Sequence, residues 1–216
     1  VHAGPFANIA HGTCSVLAQK MALGLAEFVV NETGFAADLG AEKYFDIVLP
    51  SSGLSPAAAV VVASVRALAA QATAEDPQGF DNLGRHLANL KKFGVPAVVA
   101  INRFDDDSDA ELAAIATFCK QENVECAITE VFAHGGDGAL DLARVDGRHG
   151  RQDARHPRER DGRERTSRAA KSQQGHRTPP GNEPERGGSR LCITWRPPAG
   201  RRSLAERTRP GGVDSP

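Results

Sequence analysis

The chain has 216 residues, 40% of them hydrophobic and 25% charged, with a formal net charge of −1. Its longest apolar runs are too short to span a bilayer, and its four cysteines (Cys14, Cys119, Cys126 and Cys192) form no C-x-x-C pair, so a membrane span and a zinc–cysteine cluster are both excluded. The near-neutral total hides a division: residues 1–145 carry 9 Lys+Arg against 18 Asp+Glu, and residues 146–216 carry 17 against 9.

In chain order, the first stretch is Phe6-Ala7-Asn8-Ile9-Ala10-His11-Gly12, within GPFANIAHGTCSV. Small residues there give way to an apolar run from Val16 to Val30, with Val16, Leu17, Met21, Leu25 and Phe28 at roughly helical spacing. Ser15 is the expected N-cap, its hydroxyl taking up a free backbone N–H of the first turn. Amides left unpaired at such a junction favour a polar or anionic ligand, although a Gly-containing loop before a helix is also an ordinary structural feature. From Asn31 to Pro56 the glycines and prolines predict a loop with short ordered pieces.

Three strand–helix pairs follow. Ala57–Ala63 (AAAVVVA) and Val95–Ile101 (VPAVVAI) are short apolar runs expected of strands buried on both faces, and a third strand is expected from Val124 to Ile128. Between the first two, residues 79–93 place Phe80, Leu83, Leu87, Leu90 and Phe93 on one side of a helix that Gly94 ends. Ser108 and Glu111 make a capping-box pattern ahead of Leu112, Ile115 and Phe118, and a last helix is expected from about Asp137. This alternation predicts an α/β fold with a parallel sheet, whose ligands bind beyond the carboxyl ends of the strands. Phe104 and the segment Ile128–Phe132 fall just past two of those ends.

From Asp146 to Pro216 apolar periodicity disappears, and Leu191–Trp195 is the one sizeable apolar patch. The segment is expected to be a disordered tail, because it cannot bury enough surface to offset the entropy of ordering. Its 16 Arg against 1 Lys, with many Gly and Pro, also fit GC-rich codons read in a shifted frame. An Arg-rich nucleic-acid arm is the less favoured reading of the same composition. No secretory signal is visible, so the cytoplasm is the expected compartment. The chain opens on Val1, with Met21 its single methionine, which fits either a start inside a longer protein or a non-standard start codon written literally.

Taken together, GPFANIAHG, ETGFAADLGAEKYFDI, VASVRAL, FGVPAVVAINRF and EVFAHGGDGALDLA resemble, in content and order, blocks of the formate–tetrahydrofolate ligases. The resemblance covers residues 1–145 and none of 146–216. It implies part of a P-loop-type nucleotide hydrolase fold and a C–N bond-forming ligase of one-carbon metabolism. In that family ATP, with magnesium, phosphorylates formate, and tetrahydrofolate then takes the formyl group from formyl phosphate to give 10-formyltetrahydrofolate. Formate, tetrahydrofolate and ATP are thus the implied small-molecule partners of an enzyme that is a homo-oligomer when intact, with no membrane or nucleic-acid partner.

The resemblance also implies roles. Phe6, Ala7, Asn8, His11 and Gly12 match the loop beside formyl phosphate, with His11 equally readable as a loop hydrogen bonder. Phe104 matches the aromatic that stacks on the pterin, and Ile128 and Phe132 stand where the family usually has Leu and Trp. Read without the resemblance, Phe104 and Phe132 are ordinary core side chains at strand ends. Asp105, Asp106 and Asp107 could suggest magnesium, but a solvated turn before a helix explains them as well; no catalytic residue and no metal ligand is assigned.

Three departures bear on activity. No G-x-x-x-x-G-K-[ST] phosphate loop occurs in the sequence, a motif the family carries upstream of the first loop. Ala69-Ala70-Gln71-Ala72 and a short connection to Gly79 replace a Lys and a His-Gly-Gly turn. Val48-Leu49-Pro50 replaces a basic Lys-Cys-Arg. The expected function is therefore the family's ligation with this chain inactive alone, or a non-catalytic folate-binding remnant.

Overall fold

In the computed structural model of the chain, which describes residues 11–34, 37–153 and 190–195, the β-branched runs form the centre of one five-stranded sheet. Helix α1 spans Val16–Leu25, strand β1 Val29–Thr33, and a continuous helical stretch runs from residue 37 to 52, ending in α2 (Leu49–Ser52). Strand β2 is Ala58–Ala63, followed by α3 (Val65–Ala69) and α4 (Phe80–Phe93). Strand β3 is Ala97–Asn102, α5 Asp109–Gln121, β4 Glu125–Thr129, α6 Val131–His134, and α7 Leu140–Asp153 after a 3-10 turn at Gly135–Ala139. Strand β5 is Arg190–Trp195. The sheet order is β1–β5–β2–β3–β4.

The expected parallel core is present. β2 and β3 pair in parallel (Val60 opposite Val98), as do β3 and β4 (Ala100 opposite Ala127). Alternation sends Ala59, Val61, Val99 and Ile101 to one face, where they join Leu68, Leu83, Leu87, Leu90, Leu112 and Ile115 in a single buried cluster. The helices do what their patterns predict: α4 buries Leu83, Leu87 and Leu90, and α5 begins on a complete Ser108–Glu111 capping box. Two stacked aromatic pairs tie the layer together, Phe45 on Phe93 at 4.5 Å and Phe80 on Phe118 at 4.9 Å.

Between the first loop and β2 the expectation fails. The helix expected through Val30 ends at Leu25, and Val29–Thr33 is a strand instead. Inside α1 the apolar stripe Leu17, Met21 and Leu25 faces solvent (62, 56 and 57% exposed), while Gln19 is the buried residue. Polar satisfaction explains this inversion. Gln19 donates through Nε2 to the Cys14 carbonyl (3.0 Å) and accepts from the Tyr44 hydroxyl (3.0 Å), so its amide is buried without loss. Asn31, buried on the inner face of β1, donates to the Thr13 hydroxyl and accepts from the Cys14 thiol at 3.0 Å. The predicted loop after β1 holds two π-helical segments, Ala37–Ala41 and Tyr44–Val48. The second precedes Pro50, which has no N–H to give to a regular helix.

The carboxyl-terminal part differs from the expected tail in two places. The boundary at 145 falls inside α7, which continues to Asp153. The apolar patch Leu191–Trp195 forms most of β5, antiparallel to both β1 and β2. Its Leu, Ile, Thr and Trp favour extended structure, and two strand edges stand ready to pair with it.

Candidate functional site

The candidate site lies beyond the carboxyl ends of the strands, where parallel sheets commonly place ligands. Because β5 runs antiparallel to β1 and to β2, those two strands share one direction, and β1 to β4 all end at the same edge. That edge receives the end of the first loop, the start of α3, Phe104 after β3, and Ile128–Phe132 at the end of β4. At about 4.8 Å per strand, β1 and β3 lie about 14 Å apart along it and β1 and β4 about 19 Å.

Of the first loop, His11 and Gly12 are described; Phe6, Ala7 and Asn8 lie outside the described residues. His11 is exposed and Gly12 buried. Gly12 has φ +77° and accepts at its carbonyl from the Gly34 N–H at 2.8 Å, which anchors it just past the end of β1. A Cβ on Gly12 would meet the Gly40 carbonyl oxygen at 2.1 Å, and one on Gly40 would meet the Gly34 oxygen at 2.2 Å. Three backbones therefore touch, and only glycine fits at the contact. Next to it, Ser15 caps α1 as expected, accepting from the Ala18 N–H at 3.1 Å. The Tyr44 hydroxyl is pushed far above its usual range, first by burial and then by the nearby Cys14, and so stays a neutral donor to Gln19.

Phe104 is 38% exposed, with the Arg66 guanidinium 5.2 Å from its ring centroid. Arg66 in turn pairs with Asp106 at 3.1 Å. The Phe104 N–H donates to Asp107 Oδ2 (2.9 Å), closing the turn before α5. Two of the three consecutive aspartates, Asp106 and Asp107, are thus engaged around this turn.

Across the ladder the Arg103 N–H donates to the Thr129 carbonyl at 3.0 Å, which keeps the ends of β3 and β4 in register. Ile128 and Val131 are each 45% exposed and Phe132 is 99% exposed. The Gly135–Ala139 turn folds back so that the Glu130 N–H donates to the Gly138 carbonyl at 3.0 Å. A Cβ on Gly138 would come within 2.5 Å of the Glu130 oxygen, so the glycine lets this turn close over the strand end.

Neither aromatic is a core side chain. Phe104, Ile128 and Phe132 are brought to neighbouring strand ends, but among the described residues Phe104 and Phe132 make no ring contact with each other. Arg66 was not among the sequence candidates. Its one signal is position: it follows β2 by three residues, in the first turn of α3, which Ser64 caps.

Comparison with known proteins follows this geometry. The sequence profile of the formate–tetrahydrofolate ligases matches residues 1–155. The formate–tetrahydrofolate ligase of Paracoccus denitrificans is 51% identical over 156 residues, which is 67% of this chain and 28% of that protein. The enzymes of that name from Granulibacter bethesdensis (49% over 154 residues; 66% of this chain, 27% of theirs) and Maricaulis maris (50% over 154; 66% and 28%) are equally similar. The chain thus spans little more than a quarter of the length of the curated relatives it matches, and the match reaches past residue 145 into α7. With a parallel α/β sheet, the matching blocks in order and a profile match over most of its length, the chain belongs to the formate–tetrahydrofolate ligase family.

Proposed function

We propose that this chain supplies the folate-facing part of a formate–tetrahydrofolate ligase, the enzyme that joins formate to tetrahydrofolate at the expense of ATP and releases 10-formyltetrahydrofolate, ADP and phosphate. The observation that carries this reading is the exposed apolar set Phe104, Ile128 and Phe132 at the carboxyl ends of adjacent strands. Exposed aromatics on rigid strand ends suit a flat heterocycle such as a pterin, which gains by stacking and by leaving water. Arg66 occupies one face of Phe104 and stiffens the ring, which leaves the other face to a ligand. His11 and Gly12 at the end of β1 are the part of the formyl phosphate loop described here, and Phe6, Ala7 and Asn8 complete it in this proposal.

The residues present do not fit ATP. The sequence contains no phosphate loop, and Asp106 and Asp107 are held by Arg66 and by the Phe104 amide rather than gathered for magnesium. ATP and magnesium are therefore assigned to no residue of the matched stretch, which spans little more than a quarter of the relatives' length. A folate-binding protein without catalysis is the second reading. Cytoplasmic location and self-association belong to the same proposal; among the described residues no helix is long and apolar enough to cross a membrane.

Calorimetric titration of the full chain with tetrahydrofolate tests the proposal. Binding should be measurable and should weaken about tenfold or more in Phe104→Ala, the loss of one desolvated stacking contact. Equal binding by that variant would remove the site from these strand ends. A ligation assay with formate and ATP then separates the two readings: product from the chain alone supports catalysis, and binding without product supports the remnant.

A further inference from the structure

Helix α5 carries a thiol where it packs on the sheet, and the strand that follows it carries another. Cys119 comes four residues after Ile115 and seven after Leu112, so it shares their face of α5 and is fully buried with them. The chain then turns sharply: Asn123 has φ +56°, and the Val124 N–H donates to the Cys119 carbonyl at 2.9 Å. Cys126 follows on β4 in register with Val99, a member of the buried cluster, so its side chain falls on that face of the sheet and packs against the cluster. Helix face, turn and strand register thus bring the two sulfurs together, and the Cys119 thiol donates to Cys126. Both are free thiols here.

The pair is asymmetric. Cys126 is half-buried and open to a small oxidant, whereas Cys119 is sealed in the core but already touches its neighbour's sulfur. We propose that Cys119 and Cys126 form a dithiol modification site, which a hydroperoxide converts to a reversible 119–126 disulfide. Cys126 attacks one peroxide oxygen as its thiolate; the O–O bond breaks and the sulfur keeps that oxygen as a sulfenic acid. The other oxygen leaves as alkoxide or hydroxide and takes up the proton that Cys126 gave up. Cys119 then attacks the Cys126 sulfur: the S–S bond forms, the S–O bond breaks, and the departing hydroxide takes the Cys119 proton to leave as water. Each thiol gives up one electron, and the hydroperoxide gains two. The hydrogen bond from Cys119 favours the attacking thiolate, which forms at about pH 7. A thiol reductant restores both cysteines by exchange. The inference is independent of folate binding and of catalysis.

The test uses the full chain and hydrogen peroxide in equal amount at pH 7, followed by alkylation and tryptic mapping. Cleavage after Lys120 puts the two cysteines in separate peptides, 104–120 and 121–144, so the disulfide is read as a joined pair that dithiothreitol separates. That pair should form about fivefold or more faster in the folded chain than in urea, where both thiols ionise near 8.5 and are held by no contact. In Cys119→Ser the reaction should stop at the sulfenic acid, and dimedone should tag Cys126 at severalfold higher yield than in the unaltered chain. In Cys126→Ser, Cys119 should stay unoxidised at the same dose. A folded chain in which Cys126 links to Cys14 or Cys192 instead, or in which peptides 104–120 and 121–144 join no faster than in urea, overturns the proposal. So does oxidation of Cys119 in Cys126→Ser at the rate of Cys126 in the unaltered chain, because the accessible thiol would then not be the one that reacts first.

Discussion

The two halves of this molecule are held together by different physics. From β2 to β4 the structure is an apolar layer: Val61, Ile101, Leu83, Leu112 and Ile115 are essentially inaccessible, and the helices over them present regular stripes. From Gly12 to Ser52 the contacts are particular instead: three glycine backbones in contact, a buried relay from Cys14 through Gln19 to Tyr44, and Asn31 bonded to Thr13 and Cys14. An apolar layer tolerates exchange among residues of similar volume, whereas a contact between backbones or a polar relay accepts few substitutes. The second kind of construction holds the end of the first loop, where backbone position counts most for the proposed anion contact. The loop is thus anchored by interactions that fix geometry more than they add stability.

Substitutions sharpen the contrast. Gly40→Ala should have the largest effect, because its Cβ would sit 2.2 Å from the Gly34 oxygen with backbone on every side. We expect a loss of about 3 kcal/mol or more in urea unfolding. Gly53→Ala is the matched control: Gly53 also has a positive φ, +70°, but no atom lies within 4 Å of its built Cβ. Only the left-handed backbone then counts, about 1–2 kcal/mol. Equal losses in the two variants would mean that the three-glycine contact does not form.

Asn31→Ala comes next. It leaves the Thr13 hydroxyl and the Cys14 thiol without their buried partner and should cost about 1–3 kcal/mol. Its sharper consequence is local. Amide exchange should quicken through residues 13–33 while β3 and β4 keep their protection, because the apolar layer does not depend on Asn31. Uniform loss of protection would erase the distinction between the halves.

The same contrast decides what could be read from the sequence. The β2–β4 layer was legible because apolar periodicity and caps are local: AAAVVVA, VPAVVAI, the Leu83–Leu87–Leu90 stripe and the Ser108–Glu111 box each announce their element. β1 was not, since Val29 and Val30 continue the apolar run of α1, and the partners that let Asn31 be buried lie 17 and 18 residues away. The π-helical segments have no periodic signature, and a strand recruited from residue 190 onward leaves no trace in residues 29–63. For the candidate site, the placing of Phe104, Ile128 and Phe132 at strand ends followed from the strand pattern. Arg66 did not, because its contact with Phe104 joins residues 38 positions apart in the chain.

The smallest expected effect concerns a pair that belongs to the apolar half but behaves chemically. Cys119, in the last turns of α5, is fully buried; Cys126, on β4, is half-buried against the same cluster. The Cys119 thiol donates toward Cys126 and so favours its thiolate, which brings Cys126 down to about 7 and drives Cys119 well above the ordinary thiol range. Cys126 should then be the fast-alkylating thiol of the pair, its rate rising through about pH 7, below the usual thiol midpoint of about 8.5. Because folding lowers this group's pKa, the gain in stability is present above the unfolded thiol's pKa and is lost as pH falls through about 7. Cys119→Ala removes the donor and should return the alkylation midpoint of Cys126 to the ordinary range, with a modest cost from the methyl-sized void. An unchanged midpoint would show that the two thiols do not interact, and that even this corner of the layer is held by apolar packing alone.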